Sequence, residues 1–290
     1  MTQNNNFSPL PWYKTKEEWN SRKSYAYGNI YPLFAPASTL LPFQLEVEEG
    51  AAVHSLELWK DGVVAAELDN YPAVRTALQA YPSPTDESSS ILLFPGTVQM
   101  PVEIGDGLCH LELLMEKDNR RERYYSEQFT VVQDITPYLT VEWWDDADLV
   151  FDAGCVLYRQ GYRNRLHFIA ELGKPGYEYE EEGEERDGYF FAEKRLSWKT
   201  YRFTVLAPEY LCDVMRFIPL ADHVRITDKY GREYLCDTFG TEIDWQEQGD
   251  LAAVSAEFTT DTAVKKIPTC GSAATGDFNA DFSTDFNTGI

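Results

Sequence analysis

Several signatures are missing from this sequence, and each absence narrows what the chain can do. Positive charge is scarce: Lys and Arg total 25 against 48 Asp and Glu, a formal net charge of -23 over 290 residues. A surface of that sign is repelled by phosphate backbones and anionic lipid, so neither direct nucleic-acid binding nor membrane association is expected. No run approaches the roughly 20 consecutive apolar residues that span a bilayer, so membrane insertion is not expected either. The four histidines (His54, His110, His167, His223) are dispersed, and the five cysteines (Cys109, Cys155, Cys212, Cys236, Cys270) are scattered without a CxxC clip. Only Cys109 and His110 adjoin, and neighbours on a strand point to opposite faces, so no metal site is expected. An odd, scattered set of cysteines reads as reduced thiols. Nucleotide-binding glycine loops, nucleophile elbows, HExxH and EF-hand spacings are all absent, so no cofactor is expected and catalysis is the weaker class. Residues 1–6 carry neither a basic n-region nor an apolar h-region, so no signal peptide is expected.

What is present is a β pattern. Hydrophobic residues make up 43% and aromatics 14%, enough for a substantial core. Apolar and polar residues alternate over 42–48 and 53–59, and strand-like runs recur at 90–94, 97–102, 109–116 and 124–132. Asp61-Gly62 sits between two apolar runs, a hairpin signal, and 117–120 is a charged turn. Residues 73–80 accommodate one helical turn. These features predict a mainly β protein with an independent immunoglobulin- or fibronectin-like β-sandwich over 35–133. After Asp134-Ile135-Thr136-Pro137, strand patterns at 138–144, 156–159, 165–171, 196–205, 223–227, 233–236 and 251–258 predict a second β-rich domain over 134–267. Its one helix, near 208–218, opens at Pro208-Glu209 and repeats Leu211, Val214, Met215 and Ile218 at helical spacing. A sheet or split barrel crossed by one helix fits that order. Within this second domain, residues 176–188 hold seven acids against one Arg, bracketed by glycines, which reads as a solvated loop or hairpin tip.

The two ends differ from the rest. Residues 1–34 form an extended aromatic arm with Trp12, Tyr13, Trp19, Tyr25 and Tyr27 among polar residues. Aromatic surface is costly in water, which favours docking on the chain's own body or on a neighbour over a flexible leader. Residues 268–290 are a polar, flexible tail carrying the repeat Asp277-Phe278, Asp281-Phe282, Asp285-Phe286. Phe278, Phe282 and Phe286 would share one face if the tail became helical on a partner. These eight aromatics are the candidate partner-binding residues. The most enzyme-like group is Asp145, Asp146 and Asp148 beside Trp143 and Trp144, where aromatics could stack on sugar. It supports a second reading, a glycan-binding or glycan-cleaving surface protein. The competing reading of the same residues is a buried Trp with an acidic turn behind it.

Tyr125-Ser126-Glu127-Gln128-Phe129 and the strand–helix–hairpin–strand order from Tyr201 to Phe258 resemble tail- or baseplate-type structural proteins of tailed bacteriophages and prophages. Within that order, Pro208-Glu209-Tyr210-Leu211-Cys212-Asp213 stands at the helix start and Ala256-Glu257-Phe258-Thr259-Thr260-Asp261 at the end; the terminal Asp-Phe repeat completes the likeness. The resemblance covers roughly half the chain and transfers no binding residue. It implies a non-enzymatic virion component made in the host cytoplasm. Its partners would be copies of itself and other virion proteins in the tail, baseplate or neck, met through its β-domains and terminal arms.

Overall fold

The computed structural model describes residues 7–21, 33–100, 104–151, 154–245 and 251–266. Its first half contains β1 (Trp12–Tyr13), α1 (Lys16–Asn20), β2 (Phe34–Pro36), β3 (Phe43–Glu48), β4 (Ala52–Lys60), β5 (Val63–Glu67), α2 (Pro72–Ala77), β6 (Gln79–Pro82), β7 (Ser89–Phe94), β8 (Gly107–Lys117), β9 (Arg120–Ser126) and β10 (Phe129–Val132). The central strand is β8, whose Leu111, Leu113 and Met115 are buried. It pairs with β4, and with β10 and β9 in succession along its length. β5 extends this sheet from β4, β1 adds antiparallel to β9, and β2 adds parallel to β10. The second sheet, ordered β3-β7-β6, contributes Leu45, Val47, Leu92 and Phe94 to a core shared with Leu56, Leu58, Leu111 and Leu113. The hairpin turns have positive φ at both central residues, 51° and 78° at Asp61-Gly62 and 50° and 61° at Asp118-Asn119. That is the twist-matched geometry of a two-residue hairpin. The strand expected at 97–102 does not form over its described residues, 97–100. Pro95 and Pro101 flank them, and proline removes the ladder donors such a strand would need.

The second half contains β11 (Leu139–Trp144), β12 (Leu149–Phe151), β13 (Gly154–Val156), β14 (Asn164–Phe168), β15 (Gly176–Arg186), β16 (Tyr189–Pro208), α3 (Glu209–Met215), β17 (His223–Thr227), β18 (Glu233–Leu235), β19 (Thr238–Trp245) and β20 (Leu251–Lys266). They form two four-stranded sheets, β14-β11-β17-β18 and β15-β16-β20-β19, and the hairpin β12-β13. Val141, Leu166, Ile226, Phe203, Val254 and Phe258 from the two sheets join Leu211, Val214 and Met215 of α3 in one core. The expected helix is therefore present, and its apolar spacing is the reason it is held there.

Over its described length the N-terminal segment docks on the chain's own body instead of extending from it as an arm. Leu10 and Leu33 are fully buried, and β1 and β2 are strands of the sheet built around β8. Nor do the two halves have separate cores: one buried cluster runs from Leu10 to Phe258. A smaller cluster joins Ile91 and Leu93 of β7 to Cys155, Val156, Leu157 and Tyr162. The residues of β7 are buried on both faces, which requires cover from the second half. The tail, 268–290, lies outside the described residues.

Candidate functional site

Within the sheet of β15, β16, β20 and β19, the first two strands run past the core. From Gly176 through Lys199 no described side chain is buried, whereas Tyr201, Phe203, Val205 and Ala207 further along β16 are core residues. The eleven residues of β16 that lie outside the core, Tyr189 to Lys199, extend about 35 Å at the usual strand rise. The acidic stretch read as a loop or hairpin tip is thus one complete strand of a projecting hairpin. Its turn is Asp187-Gly188, with φ of 53° and 80°. Near the tip the register shifts at Glu182/Gly183, and the strands approach so closely that a Cβ on Gly183 would collide with the Phe191 carbonyl.

Cross-strand charge pairs hold this arm in register. Lys194 meets Glu182 at 2.9 Å, Arg195 meets Glu181 at 2.8 Å, and Lys199 meets Asp261 of β20 at 2.8 Å. Its aromatic side chains are left in solvent: Tyr177 is 74% exposed, Tyr179 77% and Tyr189 71%, with Phe190 and Phe191 more than half exposed. Five exposed large aromatics, two opposite Ser197 and Lys199 and three at the tip, make the projecting element a candidate interaction surface. Sequence reasoning missed these five residues. The Asp187-Gly188 dipeptide and the Tyr-Glu-Tyr-Glu alternation at 177–180 were the available signals, and the run of glutamates obscured them.

The aromatics assigned to the N-terminal arm are placed elsewhere. Trp12 is buried with its ring 4.9 Å from Phe43, so it fills the chain's own core and is closed to a partner. The Tyr13 hydroxyl donates to Glu127 at 2.8 Å, and Trp19 Nε1 donates to the Ser126 carbonyl at 2.8 Å. Trp19 also packs on His110 at 4.8 Å, and the Lys16 ammonium lies 4.0 Å from the Trp19 ring centre. Tyr13 and Trp19 are half-buried beside β9. Tyr25, Tyr27, Phe278, Phe282 and Phe286 lie outside the described residues.

The Trp143-to-Asp148 group is brought together but structurally committed. Trp143 is a core residue. The Trp144 ring stacks on His223 at 5.2 Å and has the Arg163 guanidinium 4.0 Å from its centre. Asp145 is buried and accepts the Asp222 N–H at 2.9 Å; burial pushes its carboxyl above the ordinary carboxylate range, against the pull of that bond. Asp146 bonds His223 Nε2 at 2.9 Å, and Asp148 accepts from the Tyr158 N–H at 3.0 Å and Arg159 Nη2 at 2.8 Å. Behind them, buried Glu142 is clamped by Arg165 and Arg225. Burial raises its carboxyl, but the two guanidiniums outweigh that and hold it below the usual range.

The thiols are poorly suited to nucleophilic chemistry. Burial pushes Cys109 and Cys212 up to about 11 and Cys236 up to about 12, which keeps all three protonated at neutral pH. Among the described residues no three His, Cys, Asp or Glu side chains are grouped to hold a metal ion, and no helix is long and apolar enough to cross a membrane. No family model matches the sequence, and comparison with curated proteins and with solved structures returns no significant match.

Proposed function

We propose that this protein is a non-enzymatic assembly subunit that docks through the arm built by β15, β16 and the end of β20. The observation that carries the reading is the solvent exposure of Tyr177, Tyr179, Tyr189, Phe190 and Phe191 on the part of the hairpin, residues 176–199, where no described side chain is buried. Leaving five large aromatics in water opposes solubility, and burying each against a partner contributes about 1.5–3 kcal/mol before ordering costs. The strand order β3-β7-β6 opposite β5-β4-β8-β10-β2 supports an immunoglobulin-like sandwich as the body that presents the arm. The virion assignment, with other virion proteins and copies of the chain as partners, rests on the resemblance in the sequence to phage tail and baseplate proteins.

The test is an arm-shortened chain in which residues 180–195 are removed and the strands rejoined by Asn-Gly. It should keep the melting temperature of the full chain while losing incorporation into particles and co-purification with other particle components. Full incorporation of the shortened chain, or turnover of a polysaccharide by the intact one, would overturn the reading.

A further inference from the structure

Of the strand edges that lack a neighbour among the described residues, two carry opposite charges. β15 pairs with β16 on one side; among the described residues no strand pairs with its other edge over its eleven positions. That strand carries Glu178, Glu180, Glu181, Glu182, Glu184 and Glu185. β9 pairs with β8 along its length, but on its outer side β1 reaches only Tyr125 and Ser126. Among the described residues, the outer edge of β9 from Arg120 to Tyr124 therefore has no strand beside it. This second edge carries Arg120, Arg121 and Arg123 with one acid, Glu122, among them, so it is basic on balance. Arg121 and Arg123 each bond a carboxylate of β8, Glu116 at 2.9 Å and Glu112 at 2.5 Å, yet their side chains remain 56% and 39% exposed. A guanidinium has five N–H donors, so one carboxylate partner leaves donors for another.

We infer that these edges belong to one interface: the acidic edge of β15 in one copy adds to the basic edge of β9 in a second copy. The inference rests on the assembly reading above and specifies its partner. Open edges offer unpaired N–H and C=O groups along their length, and strand addition satisfies both sets at once. Charge selects the pairing. Two β15 edges would set six glutamates against six, and like charges directly opposite one another destabilise a sheet. A β15 edge on a β9 edge sets glutamates against arginines. That choice matters for a chain of net charge -23, whose copies repel everywhere except where local charge is reversed. The surroundings match as well. The arm brings exposed Tyr177, Tyr179 and Phe190, and beside the β9 edge lie the half-buried rings of Tyr13, Trp19 and Tyr125. Because the two edges differ, the contact is head-to-tail, and a bound pair keeps one edge of each kind free, β9 on one copy and β15 on the other, to extend a ring or stack.

Sedimentation velocity and native mass spectrometry on the full chain test this with two charge-reversed variants, Glu180→Lys with Glu185→Lys on β15 and Arg120→Glu with Arg121→Glu on β9. Wild type should associate with rising concentration and dissociate as salt rises. Each variant alone should associate at least tenfold more weakly, while their equimolar mixture should form 1:1 pairs, since it retains one native edge of each sort. Circular dichroism establishes that each variant is folded. A second measurement uses Glu184→Cys in one molecule and Arg121→Cys in another, which a short bismaleimide should join between copies. Wild type that stays monomeric, association untouched by either variant, or a mixture that stays monomeric overturns the inference. If particle incorporation depends on the β15 charges but not on those of β9, the partner is a basic strand of another protein; the second-copy inference then fails while the assembly reading stands.

Discussion

The side-chain carboxamide of Gln44 bonds both polar groups of the Leu157 main chain: Nε2 donates to the carbonyl at 2.8 Å and Oε1 accepts the N–H at 3.0 Å. Gln44 lies in β3 and Leu157 follows β13, 113 positions later, and both residues are buried. One side chain thus does for the junction of the two halves what a backbone bridge does within a sheet. Gln44→Ala should lower unfolding free energy by about 2–4 kcal/mol, because it strands a buried N–H and a buried C=O. Gln44→Glu should be no better, since a carboxylate faces the carbonyl. Urea unfolding monitored by Trp fluorescence reads this; a loss no larger than that of exposed Gln79→Ala would refute the bridge.

Separate expression of 35–133 should fail to give a stable fold. The fragment lacks β1, Leu10, Leu33 and the first residue of β2, and it uncovers Ile91 and Leu93, which are 1% and 0% exposed in the whole chain. Those two side chains alone forgo roughly 3–6 kcal/mol of burial, comparable to the total stability of a small domain. A cooperative unfolding transition of the fragment, matching one seen in the intact protein, would show that the halves are independent after all.

Breaking the Glu142 clamp should be costly. Glu142→Gln removes the negative charge between Arg165 and Arg225, leaving Arg165 without a carboxylate among the described residues and Arg225 with only Glu233 at 3.4 Å, a loss of about 3 kcal/mol. Double substitution with Arg165→Met should recover part of it. Equal stability of wild type and Glu142→Gln at neutral pH would show that the cluster is dispensable.

Acid should weaken the fold in two steps. Burial lowers the His167 imidazole from 6.5 to about 3, assisted by Arg165, so the unfolded chain takes up a proton that the native chain refuses between those values. Stability therefore falls as pH drops through that window, by up to about 1.4 kcal/mol per unit. Glu142 acts lower: its folded carboxyl is held down, so its contribution is complete above the unfolded value and disappears as pH falls through the folded one. Urea unfolding of His167→Gln should show a flatter decline between pH 6.5 and 4.5 than wild type; an identical slope would remove His167 from the account.

Substituting Gly183 should damage the arm and spare the body. A side chain there meets the Phe191 carbonyl, so Gly183→Val must open the hairpin where the register shifts. Limited proteolysis should then cut between 180 and 195 in the variant and not in wild type, at an unchanged melting temperature. A protected arm in the variant would show that the close approach is tolerated.

Local chemistry made much of this fold legible. Asp61-Gly62 announces its hairpin because few other pairs accept two positive φ angles, and α3 shows itself through apolar residues at helical spacing. What stayed hidden depends on distant partners. Trp12 looks like an exposed aromatic until β1 is laid on β9, more than 100 residues later in the chain. Gln44 reads as the polar half of an alternating strand until Leu157 arrives. The arm stayed hidden for a related reason: a run of glutamates forms a strand only because β16 supplies Lys194 and Arg195 opposite, and β20 braces β16 in turn.

The uninterrupted path of β16 has a mechanical consequence. The strand that forms one side of the arm's tip at Tyr189 continues without a break to Pro208, where α3 begins. It is flanked by β15 for its outer half and by β20 from Lys194 to Pro208. A pull along the arm therefore loads two hydrogen-bonded ladders in shear, where many bonds must yield together. A sideways peel would open them one at a time. Tension gathered at the tip passes straight to the N-terminus of α3, so the arm is stiff along its length and compliant across it.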